Sequence, residues 1–251
     1  GSGPAFTVRA LTLADGTRID LAGRPVVLAV PHGVVDALLA PHRDRVPDAL
    51  AHLGELESRP MAAVDLHLRN RLRGFPKKGH VILDGTPRHL TALDIRPVWD
   101  DEQLPGTGTV LQVIAADIEG DAHLPDLGRA IVDEVLEFLP FLDRERDVLG
   151  WVTHDNRAAP LFMNTAGKDR FRPPSDRFHG TNLLVAGDWC DTPISLACME
   201  GAVVSGTQAA SCVLAAHGLD QPELTLPSRA ASPRAQRFVR RWAWLFSRLP
   251  R

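Results

Sequence analysis

The residues best placed to do chemistry lie between positions 182 and 216. An apolar run, Leu183-Leu184-Val185-Ala186, has the length of a buried strand and ends at Gly187-Asp188. A short polar loop with Trp189, Cys190, Asp191, Thr192 and Pro193 follows, then Ser195 and Leu196, where a helical pattern begins. Its small residues, Ala197, Gly201, Ala202, Ser205, Gly206, Ala209 and Ala210, allow backbone and ligand to approach closely. A helix start offers unpaired N–H groups and positive partial charge, and a carboxylate at a strand end accepts hydroxyl hydrogen bonds. The unit suits a phosphorylated or nucleotide-like ligand. Glu200 also fits as a plain helix-start carboxylate, and Trp189 and Cys190 as packing.

The rest of the chain must position that unit. Residues 6–13 and 17–21 flank Asp15-Gly16, a hairpin turn signal, and residues 26–30 form an unbroken apolar run of the kind buried on both sheet faces. Residues 33–40 and 47–57 read as short helices. Residues 61–69 alternate as a half-buried strand, and 81–84, 89–95 and 109–115 are further strand candidates between Gly/Pro-rich turns. Leu127, Ile131, Val135, Phe138 and Leu139 recur at helical spacing within 124–139. Residues 147–153 read as a strand returning to the first domain.

Composition narrows the function classes. The chain has 251 residues, 44% hydrophobic and 24% charged, as in ordinary globular proteins. A net charge of −3 gives no basic field for nucleic acid, and no base-reading motif occurs. Cys190, Cys198 and Cys212 are odd in number and match no zinc spacing, which points to free thiols in a reducing compartment. No apolar run reaches the roughly 18 residues of a spanning helix, so a cytoplasmic protein is expected. Residues 234–251 pattern as an amphipathic helix with Phe238, Trp242, Leu245, Phe246 and Leu249 on one side. That helix could make peripheral membrane contact or, the preferred reading, pack on a partner.

Val185-Ala186-Gly187-Asp188-Trp189, followed by Met199-Glu200-Gly201-Ala202-Val203 and then Ser205-Gly206 and Ala209-Ala210, resembles the C-terminal FAD-binding motif of flavin amine oxidases and carotenoid (phytoene) desaturases. The hairpin at Asp15-Gly16 with Val26–Pro31 resembles the stretch preceding their substrate domain. Residues 160–167 with Arg172-Pro173, Leu93-Asp94-Ile95 and residues 111–117 are similar to the desaturase-like branch. The resemblance spans about residues 6–216. It implies an α/β fold: a partial Rossmann-like FAD-binding domain from residues 1–40 and 147–217 and an inserted α+β substrate-binding region at 41–146; the proline-containing polar stretch 218–233 reads as a linker to the terminal helix. It also implies FAD contacts at Val30, Pro31, Gly187, Asp188, Trp189, Ser195, Leu196, Met199, Glu200 and Val203. In relatives the acid meets the ribityl-phosphate region, and the N–H matching that of Met199 faces the flavin N1–C2=O edge.

The glycine-rich fingerprint GxGxxG, which cradles a dinucleotide pyrophosphate, does not occur in these residues. The resemblance places it upstream, so an N-terminal FAD-binding polypeptide carrying GxGxxG, from a split gene or a nicked chain, is the expected partner. The implied activity is FAD-dependent oxidation or desaturation of a small apolar isoprenoid or secondary metabolite. The alternatives are an amine oxidase and a non-catalytic, flavin-free subunit. No catalytic acid, base or nucleophile stands out. Amine oxidases of this superfamily often use a lysine near flavin N5, for which Lys168 is a candidate beside Lys77 and Lys78. His67 and His89 are candidates for a substrate cavity, and His154-Asp155 for a polar pair.

Overall fold

A computed structural model describes residues 6–76, 79–99, 102–194 and 196–220. Its elements run β1 (Ala10–Thr12), β2 (Arg18–Asp20), β3 (Val26–Leu28), α1 (His32–Leu39), α2 (Asp48–Ala51) and β4 (Glu57–Arg59). The chain continues with β5 (Ala62–Leu68), β6 (Val81–Ile82), β7 (Leu90–Asp94), β8 (Thr109–Ala115), α3 (Leu127–Phe138), α4 (Arg144–Asp147) and β9 (Val148–Asp155). It closes with β10 (Leu161–Met163), β11 (Leu183–Val185) and α5 (Met199–Ala216). This mixed α/β chain divides into two units. One takes in the described residues through Glu57 and from Phe162 onward, and the other is Ser58–Leu161.

In the first unit β3 and β11 pair in parallel, with Val26, Val27 and Leu28 opposite Leu183, Leu184 and Val185. Alternate residues of β11 point to two separate cores. Leu183 and Val185 join Val26, Val35, Leu39, Leu50, Leu53, Leu56, Phe162 and Trp189. Leu184 and Ala186 meet Ala209, Cys212 and Val213 of α5. A strand covered on both faces gains nothing from polar residues on either, hence its continuous apolar run. Asn182 ties the start of the strand down. Its side chain accepts from Val8 N (2.9 Å) and donates to the carbonyls of Val8 (2.8 Å) and Arg24 (3.0 Å).

The second unit is a five-stranded antiparallel sheet in the order β6-β7-β8-β5-β9. Val64, Leu66 and Leu68 of β5 and Leu111 and Val113 of β8 pack beneath Leu127, Ile131, Val132 and Val135 of α3. Asp126 caps α3 by accepting from Arg129 N at 2.9 Å. Glu134, buried on the same helix, accepts from Arg88 N and pairs with the Arg88 guanidinium, which also meets Asp121 at 2.7 Å. On the other sheet face Asp65 accepts from Gln112 Nε2 and bonds His154 Nε2, each at 3.0 Å.

The structure corrects several expected boundaries. The strand expected to return to the first domain at 147 is β9, an edge strand antiparallel to β5, so the inserted unit runs to Leu161. Its exposed residues, among them Leu149, Val152, Thr153 and His154, carry no core signature by which to assign it. At the other end residues 41–57 belong to the first unit, because Leu50, Leu53 and Leu56 fill its core. The helix expected at 47–57 is one turn, α2, and a 3-10 turn at Leu53–Glu55, with His52 leaving helical geometry between them. The first strand shortens to β1, and the last helix begins at Met199 instead of near Leu196. The 218–233 linker lies outside the described residues beyond Asp220, and the 234–251 helix wholly so.

Gly128 shows how tightly α3 sits on the sheet: a Cβ there would fall inside contact distance of the Thr153 hydroxyl, with Thr153 Cγ2 at 3.2 Å. Gly128→Ala is therefore expected to lower stability by about 1–3 kcal/mol in urea unfolding. Adding Thr153→Ala, which removes the obstructing hydroxyl and Cγ2 methyl, is expected to recover most of the loss. A Gly128→Ala chain as stable as the parent would show that the helix is free to lift.

Candidate functional site

The site begins where β11 ends. A Cβ on Gly187 would lie 2.6 Å from the Trp189 indole Cδ1, so only glycine lets the chain turn this closely over the tryptophan. Trp189 is buried, and its indole N–H donates to Val30 O at 3.1 Å. That bond brings the ends of the two parallel strands together, and with them Val30, Pro31, Gly187 and Asp188. Pro31 starts α1, its carbonyl accepting from Val34 N and Val35 N. Gly187 N in turn donates to Ser205 Oγ at 2.8 Å, while that hydroxyl donates to Ala202 O at 2.7 Å. One buried serine thus locks the strand exit to α5.

Asp188 is partly buried. Burial pushes its carboxyl above the usual carboxylate range, opposed by backbone hydrogen bonds from Asp188 and Trp189 and by the positive charge of Arg172. Arg172 is buried and donates through Nη2 to Asp188 O (2.8 Å) and Cys190 O (2.7 Å). Its guanidinium lies 5.4 Å from the Phe162 ring centroid, and Nη1 is 3.7 Å from Asp169. Nε and Nη1 are buried without hydrogen-bond acceptors, so this cation is held under the loop by two carbonyls, an aromatic face and one distant acid. His32, buried in the first turn of α1, meets Phe162 and Trp189 edge-on at 5.8 and 6.5 Å. Desolvation lowers its pKa, while Asp36 and Asp188 oppose that shift.

At the start of α5 the Cys198 sulfur caps the helix by accepting from Gly201 N at 3.4 Å. Glu200 stands in the first turn, where its charge complements the helix dipole. Leu196, Met199 and Val203 are 57%, 82% and 67% exposed, so apolar side chains surround an accessible helix N-terminus. Ser195 lies outside the described residues. Cys190 is buried with its thiol pushed up to about 12 by desolvation, which makes it unreactive at neutral pH.

The sequence marks Gly187, Asp188 and the helix directly, names Arg172 and Ser205 only within the resembling motifs, and says nothing of His32. Arg172 and Ser205 make contacts distant in sequence, so no local spacing marks them. Lys168 is engaged elsewhere. It pairs with Glu55 at 2.7 Å, holding that carboxyl below its ordinary value, and rests 5.6 Å from the Phe171 ring. Lys77 and Lys78 lie outside the described residues. His67 is half-buried on β5, His89 is exposed at a positive φ of 49°, and His154 pairs with Asp65 and not with the neighbouring Asp155. Among the described residues no group of three or more His, Cys, Asp or Glu could hold a metal, and no helix is long and apolar enough to cross a membrane. Cavities of about 350 and 270 Å³ are lined by residues of the second unit alone.

The family model described as flavin containing amine oxidoreductase matches residues 5–214. Among solved structures, a cyclohexylamine oxidase from Brevibacterium oxydans is similar over 80% of this chain and 44% of its own, at 16% identity and a TM-score of 0.51. An oxidoreductase from Methanosarcina mazei is similar over 86% of this chain and 48% of its own, at 15% identity and a TM-score of 0.48. A search of curated proteins gives no match. The chain thus spans about half the length of the solved structures it resembles. With the match running from ahead of β1 almost to the end of α5, the chain belongs to the flavin-containing amine oxidoreductase family.

Proposed function

We propose that this chain forms the redox end of an FAD site in an oxidoreductase that dehydrogenates a small apolar substrate, an isoprenoid or secondary metabolite. The observation that carries the reading is the half-buried Asp188 carboxylate at the end of β11, backed by Arg172 and locked through Ser205 to an exposed helix start. The family uses FAD, and the residues present fit one half of it. Asp188 would accept hydrogen bonds from ribityl hydroxyls. The first N–H groups of α5, at Met199 and Glu200, would face the flavin ring with fixed positive dipoles. Leu196, Met199 and Val203 would lie against its apolar surface. FAD, when bound, supplies the hydride acceptor.

The pyrophosphate and adenosine need a glycine-rich loop, which residues 1–251 do not contain. A polypeptide segment carrying GxGxxG, from outside these residues, completes the site in this proposal. The pairing of Lys168 with Glu55 favours desaturation over the lysine-assisted amine oxidation of the runner-up reading. Dehydrogenation between carbons rests on orientation and needs no lysine at the reacting atoms.

Two outcomes test the reading. Asp188 has a raised pKa in the folded chain, so the folded state binds the proton more tightly than the unfolded one between the ordinary carboxylate value and the raised one. Stability contributed by the protonated form is present at low pH and is lost as pH rises through that window. Asp188→Asn should therefore melt at or above the parent temperature at neutral pH, with the gap closing in acid, yet retain less flavin when the chain is reconstituted with its glycine-rich segment. A variant that loses stability and keeps full flavin occupancy would make Asp188 a structural acid instead. In the reconstituted enzyme, Lys168→Ala should leave turnover within about twofold of the parent. A fall of about 10²-fold or more would favour a lysine-dependent amine oxidase.

A further inference from the structure

The sequence after β5 carries charge that the proposed flavin site does not use. Residues 69–80 include Arg69, Arg71, Arg73, Lys77 and Lys78 and no acid, in a chain whose net charge is −3. Part of this loop lines the cavity of about 350 Å³ in the second unit. Arg71, Arg73 and Arg146 supply its polar side, and Leu68, Phe141 and Leu142 its apolar side. The acid among the lining residues is Asp147, and its charge is already matched. Arg146 grips it through Nε and Nη2 at 3.1 and 2.7 Å, Asp143 N donates at 2.9 Å, and these bonds hold the carboxyl at about 2. Arg71 and Arg73 are exposed and have no carboxylate partner among the described residues.

The backbone that presents these arginines is fixed in advance. Arg69 N donates to Asp147 O at 2.9 Å, Leu72 N donates to Thr109 Oγ1 at 3.0 Å, and Leu72 and Phe75 pack against the core. Gly108 abuts the turn so closely that a Cβ there would sit 2.6 Å from Arg71 N and 2.7 Å from Arg69 O. A clamped basic turn over an apolar floor is a binding geometry, because the ordering cost is met before any ligand arrives.

We infer that this cavity binds the anionic head of an amphiphile, with Arg71 and Arg73 on the head group and Leu68, Phe141 and Leu142 against the first part of its apolar chain. Arginine suits a phosphate or carboxylate because its planar fork offers paired donors. The volume lies near the small end of ligand cavities, about 300–1,000 Å³, enough for a head group and a short length of chain. Such a group occurs both on a membrane lipid and on a free apolar phosphate or carboxylate.

The test uses the full chain and two probes. One is monomeric dodecyl phosphate, titrated below its micellar concentration by calorimetry. The other is flotation with phosphatidylcholine vesicles, with and without phosphatidylglycerol. The parent is expected to bind at least one probe, and Arg71→Glu with Arg73→Glu to weaken that binding by about tenfold or more. Monomer binding without flotation assigns a free ligand, and flotation on anionic vesicles alone assigns a lipid head group; either supports the site. Arg71→Gln with Arg73→Gln, which only removes charge, serves if the reversal misfolds, as read by circular dichroism. Gly108→Ala, which displaces the turn and keeps every arginine, should weaken binding as well. Binding to neither probe, or binding undiminished by the arginine substitutions, overturns the inference.

Discussion

A carboxylate held partly out of water is the constraint around which the first unit is arranged. Asp188 sits where β11 ends, and burial resists its ionisation. The fold offsets that cost with a buried guanidinium. Arg172 lies beneath the loop, bonded to the carbonyls of Asp188 and Cys190 and not to the carboxylate itself. Arg172 therefore leaves the acid's acceptor oxygens unoccupied by its own donors, while its positive charge favours the ionised form. A direct salt bridge would have lowered the pKa further and used up the acceptor.

Each surrounding element serves that placement. Asn182 fixes where β11 begins, and its two-sided burial fixes where it points. Gly187 gives up its side chain so that Trp189 can turn under the loop and bind Val30 O. Ser205 relays the strand exit to α5, setting the helix start beside the same loop. The second unit answers a different demand. Its antiparallel sheet buries one face under α3 and leaves the other to polar pairs such as Asp65 with His154. The absence of a side chain at Gly128 and the pairing of buried Glu134 with Arg88 set the fit of that helix on the sheet.

Much of this was legible in the sequence because it is local. The apolar run before Gly187-Asp188, the small-residue helix, the alternation across 61–69 and the helical spacing across 124–139 each reflect burial of neighbouring residues, which periodicity records. The failures come from long-range contacts. Edge strand β9 has few buried residues to mark it, so its pairing with β5 is written in the partner and not in its own pattern. The segment 47–57 reads as a helix until Leu50, Leu53 and Leu56 must all reach one core, which the broken turns achieve. Arg172 stands out in the sequence only beside Pro173 in the resembling motif, and nothing nearby signals the carbonyls it finds sixteen and eighteen residues away.

If the end of β11 and the start of α5 together receive the redox end of FAD, flavin binding must shield both. Hydrogen–deuterium exchange on the chain reconstituted with the proposed glycine-rich segment, with and without FAD, measures that shielding. Added protection on flavin binding is expected at Gly187–Trp189 and in the first turn of α5, from Met199 to Val203. Flavin bound with no change in those amides would contradict it.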